Sequence, residues 1–334
     1  MNICWCGNSD LHEYSEDYYK CEKCHTLISK NSITGEVYHV VDENVDLYGK
    51  NYWESAMANK LGSKTLSEAV DMYLLQRAVY WTKNILKYIK LGSDIAEIGC
   101  GLGQLQYILS RIGYNQLAFE LSPEICDYMN ENLKVNVHKG LFVTIENAYD
   151  GILAFDLFEH IVEPVDFAKS VIDSLRPDGI FCLQLPCYDP TLDYENMFMQ
   201  KPRFGEQLLK EQHVFLYSKE SIESILRNQG FNYFVFEHAY FGDDYDMFLF
   251  VSKEPITLNS EEDIDNYLNK NENGRLVKAL ITLFDKYNDI EERYLIADKD
   301  RVDRLEQVNI LTEMVNSKIE EVNILTEMIN SKKK

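Results

Sequence analysis

The stretch Ala96-Glu97-Ile98-Gly99-Cys100-Gly101-Leu102-Gly103 decides the fold. An apolar run, Ile95–Ile98, precedes its three glycines, and an amphipathic pattern, Gln104–Ile112, follows them. This order predicts a buried strand, a tight glycine turn and a helix. In a doubly wound α/β sheet such a turn lies at the carboxyl edge of the sheet, where ligands bind.

Further strand-like runs alternate with helical patterns after this stretch. The alternation predicts a Rossmann-like open α/β sheet with helices on both faces. The predicted strands are Gln116–Leu121, Val135–His138, Gly151–Phe155, Ile180–Leu185, Phe231–Glu237 and Asp246–Val251. The predicted helices are 66–90, one beginning at Ser122-Pro123-Glu124, Val162–Leu175, and one from Ser218 to Gly230, and Pro177-Asp178-Gly179 is predicted to be a turn.

The composition is that of a globular chain with a strongly acidic surface. Its 334 residues include 33 Lys and Arg against 55 Asp and Glu, a net charge of −22. Such a surface repels phosphate backbones and anionic lipid, so we expect no nucleic-acid partner. Because no apolar run is long enough to span a membrane and no secretory signal is visible, we expect a cytoplasmic protein with reduced thiols.

Two carboxylates flank the glycine turn and indicate the kind of ligand. Glu120 ends the second strand, where it can accept hydrogen bonds from ribose hydroxyls. A dinucleotide-binding turn has the pattern G-x-G-x-x-G, whereas Gln104 stands here at the third glycine's position. Glu97, immediately before the turn, disfavours a pyrophosphate and suits a cationic, amino-acid-like group.

Four motifs in order along the chain resemble those of the class I S-adenosylmethionine-dependent methyltransferases. The first is the glycine stretch, with its acid two residues before the first glycine. The other three are 119–124 (FELSPE), 149–164 (YDGILAFDLFEHIVEP) and 175–180 (LRPDGI), so the resemblance covers about residues 94–186. It implies that the chain binds S-adenosylmethionine and transfers its methyl group.

The same resemblance assigns cofactor contacts residue by residue. It implies that Glu120 binds the ribose and that Leu121 packs on the adenine. Phe155 and Asp156 would flank the cofactor from the fourth strand. The methionine part would be surrounded by Glu97, Gly99, Cys100, Gly101 and Gly103.

Four cysteines near the N-terminus form two close pairs, Cys4-x-Cys6 and Cys21-x-x-Cys24. Two such pairs suit a closed, structural tetrahedral zinc site. A short segment that cannot form a hydrophobic core of its own needs such a stabilising crosslink. A cysteine-rich N-terminus followed by Tyr48-x-x-x-Tyr52-Trp53 resembles a bacterial subset of methyltransferases that includes sugar and surface-glycan enzymes.

Two histidines are candidates for the catalytic base. His160 follows the fourth strand and His213 follows the fifth, and an imidazole can take a proton near neutral pH. Each could equally be a structural hydrogen-bonding residue. The irregular loop 186–204 is a candidate pocket cap. Four of its residues could bind polyol hydroxyls or could equally be surface loop residues: Tyr188, Asp189, Tyr194 and Glu195.

The C-terminal residues contain a near-identical 14-residue repeat that begins at Val308 and Val322. Fourteen residues are two heptads, with β-branched residues at one seam position and with Leu311 and Leu325, alternating with Lys318 and Lys332, at the other. The pattern predicts a coiled coil over about 300–334 and therefore a homo-oligomer, dimeric or trimeric. The alternative is a single helix packed on its own domain.

These observations predict three parts: a zinc-ribbon-like domain (1–40), a methyltransferase domain (41–255) and a helical region (256–334). The expected activity is methyl transfer to a small hydroxylated acceptor, a sugar nucleotide or surface-glycan residue. The alternatives are a quinone, lipid or protein acceptor, a non-catalytic scaffold that only binds the cofactor, and a nicotinamide-dependent oxidoreductase.

Overall fold

The structure is a computed structural model, which describes residues 3–31, 33–42, 44–49 and 65–331. The described residues separate into one compact unit up to Ile281 and a second unit from Thr282 onward. The predicted boundaries at residues 40 and 255 stay predictions. Tyr52 and Trp53 lie outside the described residues.

The secondary-structure elements are as follows. The strands are β1 (Leu11–Glu13), β2 (Tyr18–Cys21), β3 (Leu27–Ser29), β4 (Asp94–Ile98), β5 (Asn115–Glu120), β6 (Val137–Lys139), β7 (Tyr149–Phe155), β8 (Leu175–Pro186), β9 (Phe215–Leu216), β10 (Tyr233–Glu237) and β11 (Asp246–Ser252). The α-helices are α1 (Leu66–Tyr73), α2 (Val79–Tyr88), α3 (Gln104–Arg111), α4 (Pro123–Tyr128), α5 (Pro164–Ser174), α6 (Tyr194–Gln200), α7 (Lys219–Asn228), α8 (Glu261–Asn269) and α9 (Glu272–Ser331).

Seven strands form one sheet in the order β10-β11-β8-β7-β4-β5-β6. The five strands from β8 to β6 are parallel, and β11 runs antiparallel to both β8 and β10. Every residue of β7 is buried, as its place in the centre of the parallel sheet requires. The Rossmann-like α/β fold is confirmed. The order reverses between β4 and β7, so the carboxyl ends of these two strands border the crevice where such sheets bind ligands.

Two helices begin at the serines that the sequence indicates. Ser122 accepts a hydrogen bond from the Ile125 N–H at 3.3 Å, and α4 begins at the following proline. Ser218 accepts from the Ser221 N–H at 3.1 Å at the start of α7. Each serine satisfies a backbone donor that the first helical turn leaves without a partner.

Two predicted elements differ in the structure. The turn predicted at 177–179 lies inside β8 as a bulge, because Tyr149 pairs with Leu175 whereas Gly151 pairs with Ile180. The continuous helix predicted over 66–90 is divided into α1 and α2 by a π-helical turn, Leu74–Ala78. Neither irregularity leaves a periodic signal in the sequence, since both alter the backbone without altering the hydrophobic pattern.

The N-terminal strands form a second sheet that includes a strand from the middle of the chain. Its order is β1-β2-β3-β9, and Leu27 pairs with Leu216 and Ile28 with Phe215. Tyr18 and Leu27 are fully buried in a cluster with Leu216 and Phe204. The short N-terminal segment therefore gains its core by packing against residues 188–216.

The C-terminal residues are helical except at their start. Residues 253–260 precede α8, and α9 continues to Ser331, so the predicted helix is present over most of its length. The repeat residues Val308, Leu311 and Val322 are more than half exposed. Lys332, Lys333 and Lys334 lie outside the described residues.

Among the described residues, no helix combines the length and apolar character that a membrane crossing would require.

Candidate active site and metal sites

The glycine turn between β4 and α3 has a left-handed backbone at every glycine. The φ angles of Gly99, Gly101 and Gly103 are 69°, 55° and 73°. At Gly99 a Cβ would lie 2.9 Å from the Leu157 side chain, so a larger residue meets both strain and a close contact. The turn thus keeps its backbone accessible at the carboxyl edge of the sheet.

Glu120 at the end of β5 is bonded to the turn and to its own loop. One carboxylate oxygen accepts from the Gly101 N–H at 3.0 Å. The other accepts from the N–H groups of Leu121 and Ser122 at 2.8 and 3.1 Å. These bonds orient the carboxylate, which is 5% exposed, beside the glycine backbone.

Glu97 lies at the base of the turn and is buried. Burial raises the pKa of its carboxyl group to about 8, with a smaller repulsive contribution from Glu120, while a hydrogen bond from Gln106 Nε2 at 2.7 Å opposes the rise. A cation bound beside this carboxyl group would favour its charged form.

One cavity of about 720 Å³ brings the predicted site residues together. Gly103 does not line it and instead precedes α3 as its N-cap, with Met129 packed against it. The predicted residues that line the cavity are Glu97, Gly99, Cys100, Gly101, Glu120, Leu121, Phe155, Asp156, His160 and His213.

The wall at the end of β7 contains two residues from the helical region before β4. Trp81 stacks on Phe155 with ring centroids 4.2 Å apart, and Arg77 pairs with Asp156. Asp156 has a φ of 51°, which is uncommon for a residue with a side chain. Arg77 and Trp81 were not predicted, because their pattern indicates only an amphipathic helix.

Gln184 on β8 links the polar groups of this wall. Its amide nitrogen donates to Asp156 Oδ1 at 3.1 Å and to Asp246 Oδ2 at 3.4 Å, and its oxygen accepts from Trp81 Nε1 at 3.1 Å. Asp246 is 2% exposed and lines the cavity, and burial raises its pKa to about 7. Asp246 lies at the end of a predicted strand, where acidic residues are common, so the sequence does not indicate that it belongs to the site.

The two candidate histidines lie side by side, with ring centroids 4.8 Å apart. His160 Nδ1 is 3.0 Å from the Gln212 carbonyl oxygen, and His213 Nδ1 is 2.6 Å from the Gln207 carbonyl oxygen. A carbonyl oxygen only accepts, so in each neutral ring Nδ1 carries the proton and Nε2 carries the lone pair.

The loop residues proposed as polyol ligands do not line the cavity. Tyr188 is buried against Tyr14 and Phe204, and Asp189 accepts from Thr191 and pairs with Lys201 at 3.3 Å. Tyr194 and Glu195 lie on the exposed first turn of α6. Nearby, the cavity is lined instead by Pro186, Arg203, Glu206, Gln207, Leu209 and Gln212.

Comparison with known families agrees with this geometry. Residues 73–234 match a family model described as "Methyltransferase domain". This region is similar to methyltransferase domains and is called the methyltransferase domain below. It contains β4 to β8, the glycine turn, Glu120 and both candidate histidines.

Each curated relative matches less than a third of this chain. A ribosomal protein L11 methyltransferase from Acetivibrio thermocellus is 28% identical over 102 residues, which are 28% of this chain and 32% of that protein. A ubiquinone biosynthesis O-methyltransferase from Xanthomonas campestris pv. campestris is 22% identical over 101 residues, 28% of this chain and 42% of that protein. The chain thus spans less than half the length of these two relatives.

Among solved structures, a protein from Thermotoga maritima described as an S-adenosylmethionine-dependent methyltransferase, possibly a histamine N-methyltransferase, is similar to this chain. It is 15% identical, the match covers 60% of this chain and all of that one, and the TM-score is 0.42.

The cavity of the methyltransferase domain fits S-adenosylmethionine in size and chemistry. Its volume lies within the ~300–1,000 Å³ of small-molecule sites. The left-handed glycines leave room for a ligand against the backbone, and Glu120 presents a carboxylate beside them. Acidic groups on both sides of the turn suit a cationic donor better than a dinucleotide phosphate.

The four N-terminal cysteines come together outside the methyltransferase domain. All four Sγ atoms lie within 4.8 Å of one another, with Cys4 and Cys24 3.4 Å apart and Cys6 and Cys21 3.6 Å apart. Tetrahedral zinc holds thiolates at ~2.3 Å, which corresponds to sulfur separations of this size. The four side chains therefore fit a closed zinc site.

Proposed function

We propose that the chain is a class I S-adenosylmethionine-dependent methyltransferase that acts on a small hydroxylated acceptor, a sugar nucleotide or a surface-glycan residue. The main support for this proposal is that the glycine turn, Glu120, His160 and His213 all border one cavity. Donor and acceptor can therefore meet in one enclosure, as an in-line displacement requires.

The cofactor contacts follow the resemblance. Glu120 binds the ribose hydroxyls, and Leu121 packs on the adenine. Phe155, held by its stack on Trp81, and Asp156, held by Arg77, border the cofactor from β7. The methionine part lies against Glu97, Gly99, Cys100, Gly101 and the start of α3, with Gly103 setting the helix position.

The bound cofactor supplies a methyl group on a positively charged sulfur. An acceptor oxygen forms a bond to this carbon while the carbon–sulfur bond breaks and its electron pair stays on sulfur. The hydroxyl proton must leave, and Nε2 of His160 or His213 is the proposed acceptor because Nδ1 already carries the proton in each ring. Asp246, with its pKa near neutrality, is a second candidate base.

The polar part of the cavity wall supports a polyol acceptor. Hydroxyl, amide and charged groups line this part and can hydrogen-bond to a polyol, while apolar side chains such as Phe142, Phe167 and Phe241 line the rest of the cavity. The relatives named as ubiquinone biosynthesis O-methyltransferases favour an oxygen acceptor, and the name of the ribosomal protein L11 methyltransferase indicates a protein substrate. The polar groups concerned are Tyr38, Tyr48, Arg203, Glu206, Gln207, Gln212 and Asp246.

Two further features complete the proposal. The cysteine cluster holds a structural zinc ion, which fixes β2 and the turn before β3. The C-terminal repeat forms a coiled coil that joins copies of the chain into a homo-oligomer. A cytoplasmic location remains part of the proposal.

The decisive experiment offers the full-length protein methyl-labelled S-adenosylmethionine with separate pools of sugar nucleotides, quinols and ribosomal proteins. We expect label in a sugar-nucleotide product and none in the other two pools. Label in a quinol or in a protein would show that the acceptor belongs to that class instead. Cofactor binding in calorimetry without label in any pool would support the non-catalytic scaffold, and failure to bind the cofactor would exclude the methyltransferase function.

A further inference from the structure

Glu159, His160 and His213 form a second cluster of metal-ligating side chains, which lies in the wall of the active-site cavity. One carboxylate oxygen and one nitrogen from each ring all lie within 4.8 Å of one another. The three residues are 1%, 7% and 5% exposed, and all three border the cavity. We infer that they bind a divalent transition-metal ion that contacts the acceptor, an inference that rests on the proposed function.

The tautomers of both rings suit metal binding. A metal-ligating histidine usually donates its other ring N–H to a backbone carbonyl or a carboxylate, which fixes the ring and its lone pair. Here Gln212 and Gln207 provide these carbonyl oxygens, at 3.0 and 2.6 Å from the two Nδ1 atoms. Both Nε2 lone pairs are therefore oriented by the backbone.

The backbone holds the two parts of the cluster together. The Val214 N–H donates to the Glu159 carbonyl oxygen at 2.8 Å, which ties the segment after β7 to the segment before β9. Tyr38 Oη donates to the His160 carbonyl oxygen at 3.0 Å, and Tyr18 Oη donates to that of His213 at 3.1 Å. Such a supported site costs little reorganisation when an ion enters.

The separations allow an ion to bind without rebuilding the site. Three atoms at most 4.8 Å apart have a common centre about 2.8 Å from each, against a metal–ligand bond of about 2.1 Å. Side-chain movements of under about 1 Å close this difference. An ion there would also place a positive charge beside the Glu159 carboxylate, which is 1% exposed.

The ligand set indicates the kind of ion. Imidazole nitrogens favour Zn²⁺, Fe²⁺, Mn²⁺ or Co²⁺ over Mg²⁺ and Ca²⁺. Three protein ligands leave coordination positions open, which is the arrangement of catalytic sites, and the cavity gives an acceptor hydroxyl access to them. A hydroxyl bound there loses its proton to water more easily, so the ion takes over the task assigned above to an imidazole base.

The test must separate this ion from the one at the cysteines. The full-length protein is stripped with a chelator and titrated with Co²⁺, and the bound metal is counted by mass spectrometry. Cobalt at the four thiolates gives intense charge-transfer absorption in the near ultraviolet, whereas cobalt at Glu159, His160 and His213 gives only weak visible bands. We expect two ions per wild-type chain, each with one of these signatures.

Glu159→Gln and His213→Gln should each lose the second ion or bind it at least about 10-fold more weakly, while the thiolate absorption stays. Glu163→Gln, also in the cavity wall, and the exposed His138→Gln should keep both ions. A wild-type protein with only the thiolate-type ion overturns the inference, as does a Glu159→Gln variant with unchanged cobalt affinity. If the metal-free enzyme transfers methyl groups at the full rate, the inferred metal role is wrong and the proposed function stands. If the enzyme transfers no methyl group with Zn²⁺, Fe²⁺, Mn²⁺ or Co²⁺ bound, the result counts against the proposed function itself.

Discussion

The Gly101 N–H donates to the Glu120 carboxylate at 3.0 Å, and this bond joins the glycine turn after β4 to the end of β5. It makes the two parts of the proposed cofactor site a single unit. The position of the carboxylate depends on the left-handed turn, and the turn is held by the carboxylate. A change at either residue is therefore expected to act on the same quantity, the affinity for the cofactor.

Gly101→Val and Glu120→Gln should both weaken S-adenosylhomocysteine binding by at least about 10-fold. Valine in a left-handed backbone costs about 1–2 kcal/mol and places methyl groups in the cavity. In the wild type, backbone N–H groups donate to the Glu120 carboxylate oxygens. Glutamine replaces one of these oxygens with an amide nitrogen, which cannot accept a hydrogen bond. Calorimetry measures the affinity, with the exposed Glu131→Gln as control. Unchanged affinity in both variants would contradict the assignment of the cofactor site.

Glu97→Gln should stabilise the ligand-free protein at alkaline pH. The carboxyl pKa is about 8 in the fold against 4.5 ordinarily, so between these values the folded chain holds a proton that the unfolded chain lacks. The free energy of unfolding therefore falls as pH rises through this window. Glutamine does not titrate and still accepts from Gln106.

Urea unfolding at a series of pH values measures this difference. The variant should exceed wild type by about 2 kcal/mol or more near about pH 9, and the difference should be smallest near about pH 4. A constant difference between the two proteins across the range would rule out a raised pKa at Glu97.

Gln184→Leu should destabilise the fold through the wall of the cavity. Leucine removes the partner of the buried Trp81 indole N–H and the donor to Asp246. A buried donor without a partner costs about 1–3 kcal/mol, so the free energy of unfolding should fall by about 2 kcal/mol or more. Urea titration measures it, and the exposed Gln200→Leu should change it by less than about 0.5 kcal/mol. Equal effects of the two substitutions would show that the Gln184 bonds contribute nothing.

The parts of the site that are local in sequence could be predicted, and the parts assembled from distant elements could not. The turn from Gly99 to Gly103 and the strand end at Glu120 depend on short patterns with one structural outcome. Arg77 and Trp81 reach the cavity only because α1 and α2 pack over the end of β7, and no local pattern shows which face of that helical region meets the cavity.

Two burial effects were equally hidden from the sequence. Asp246 is the first residue of a strand, and only the sheet order, which places β11 beside β8, shows that its carboxyl group is enclosed. The N-terminal segment appears in the sequence as a part without a core of its own. In the structure β9 completes its sheet, and the sequence separation between Leu27 and Leu216 hides that pairing.

Removal of residues 300–334 should lower the oligomeric state, because the two-heptad repeat would be lost. Sedimentation equilibrium measures the mass. In the full chain, lysine at the seam positions Leu311 and Leu325 should have the same effect, whereas lysine at Asn309 and Asn323, one residue after the other seam, should leave the mass unchanged. A monomeric full-length protein would exclude the coiled coil.

Cys21→Ser should release the zinc ion and weaken the packing around His213, outside the cysteine cluster. Cys21 ends β2, and β3 after it pairs with β9, which begins two residues after His213. Losing the ion removes the constraint on β2 and β3, so amide exchange at Leu27 and Leu216 should become faster and the melting temperature should fall by at least about 5 °C. Methyl transfer should fall with it, because Tyr18 on β2 donates to the His213 carbonyl oxygen at 3.1 Å. Glu22→Ser, exposed in the same segment, should leave all three measurements unchanged. If Cys21→Ser retains its zinc and its exchange rates, the cysteine cluster does not stabilise this sheet.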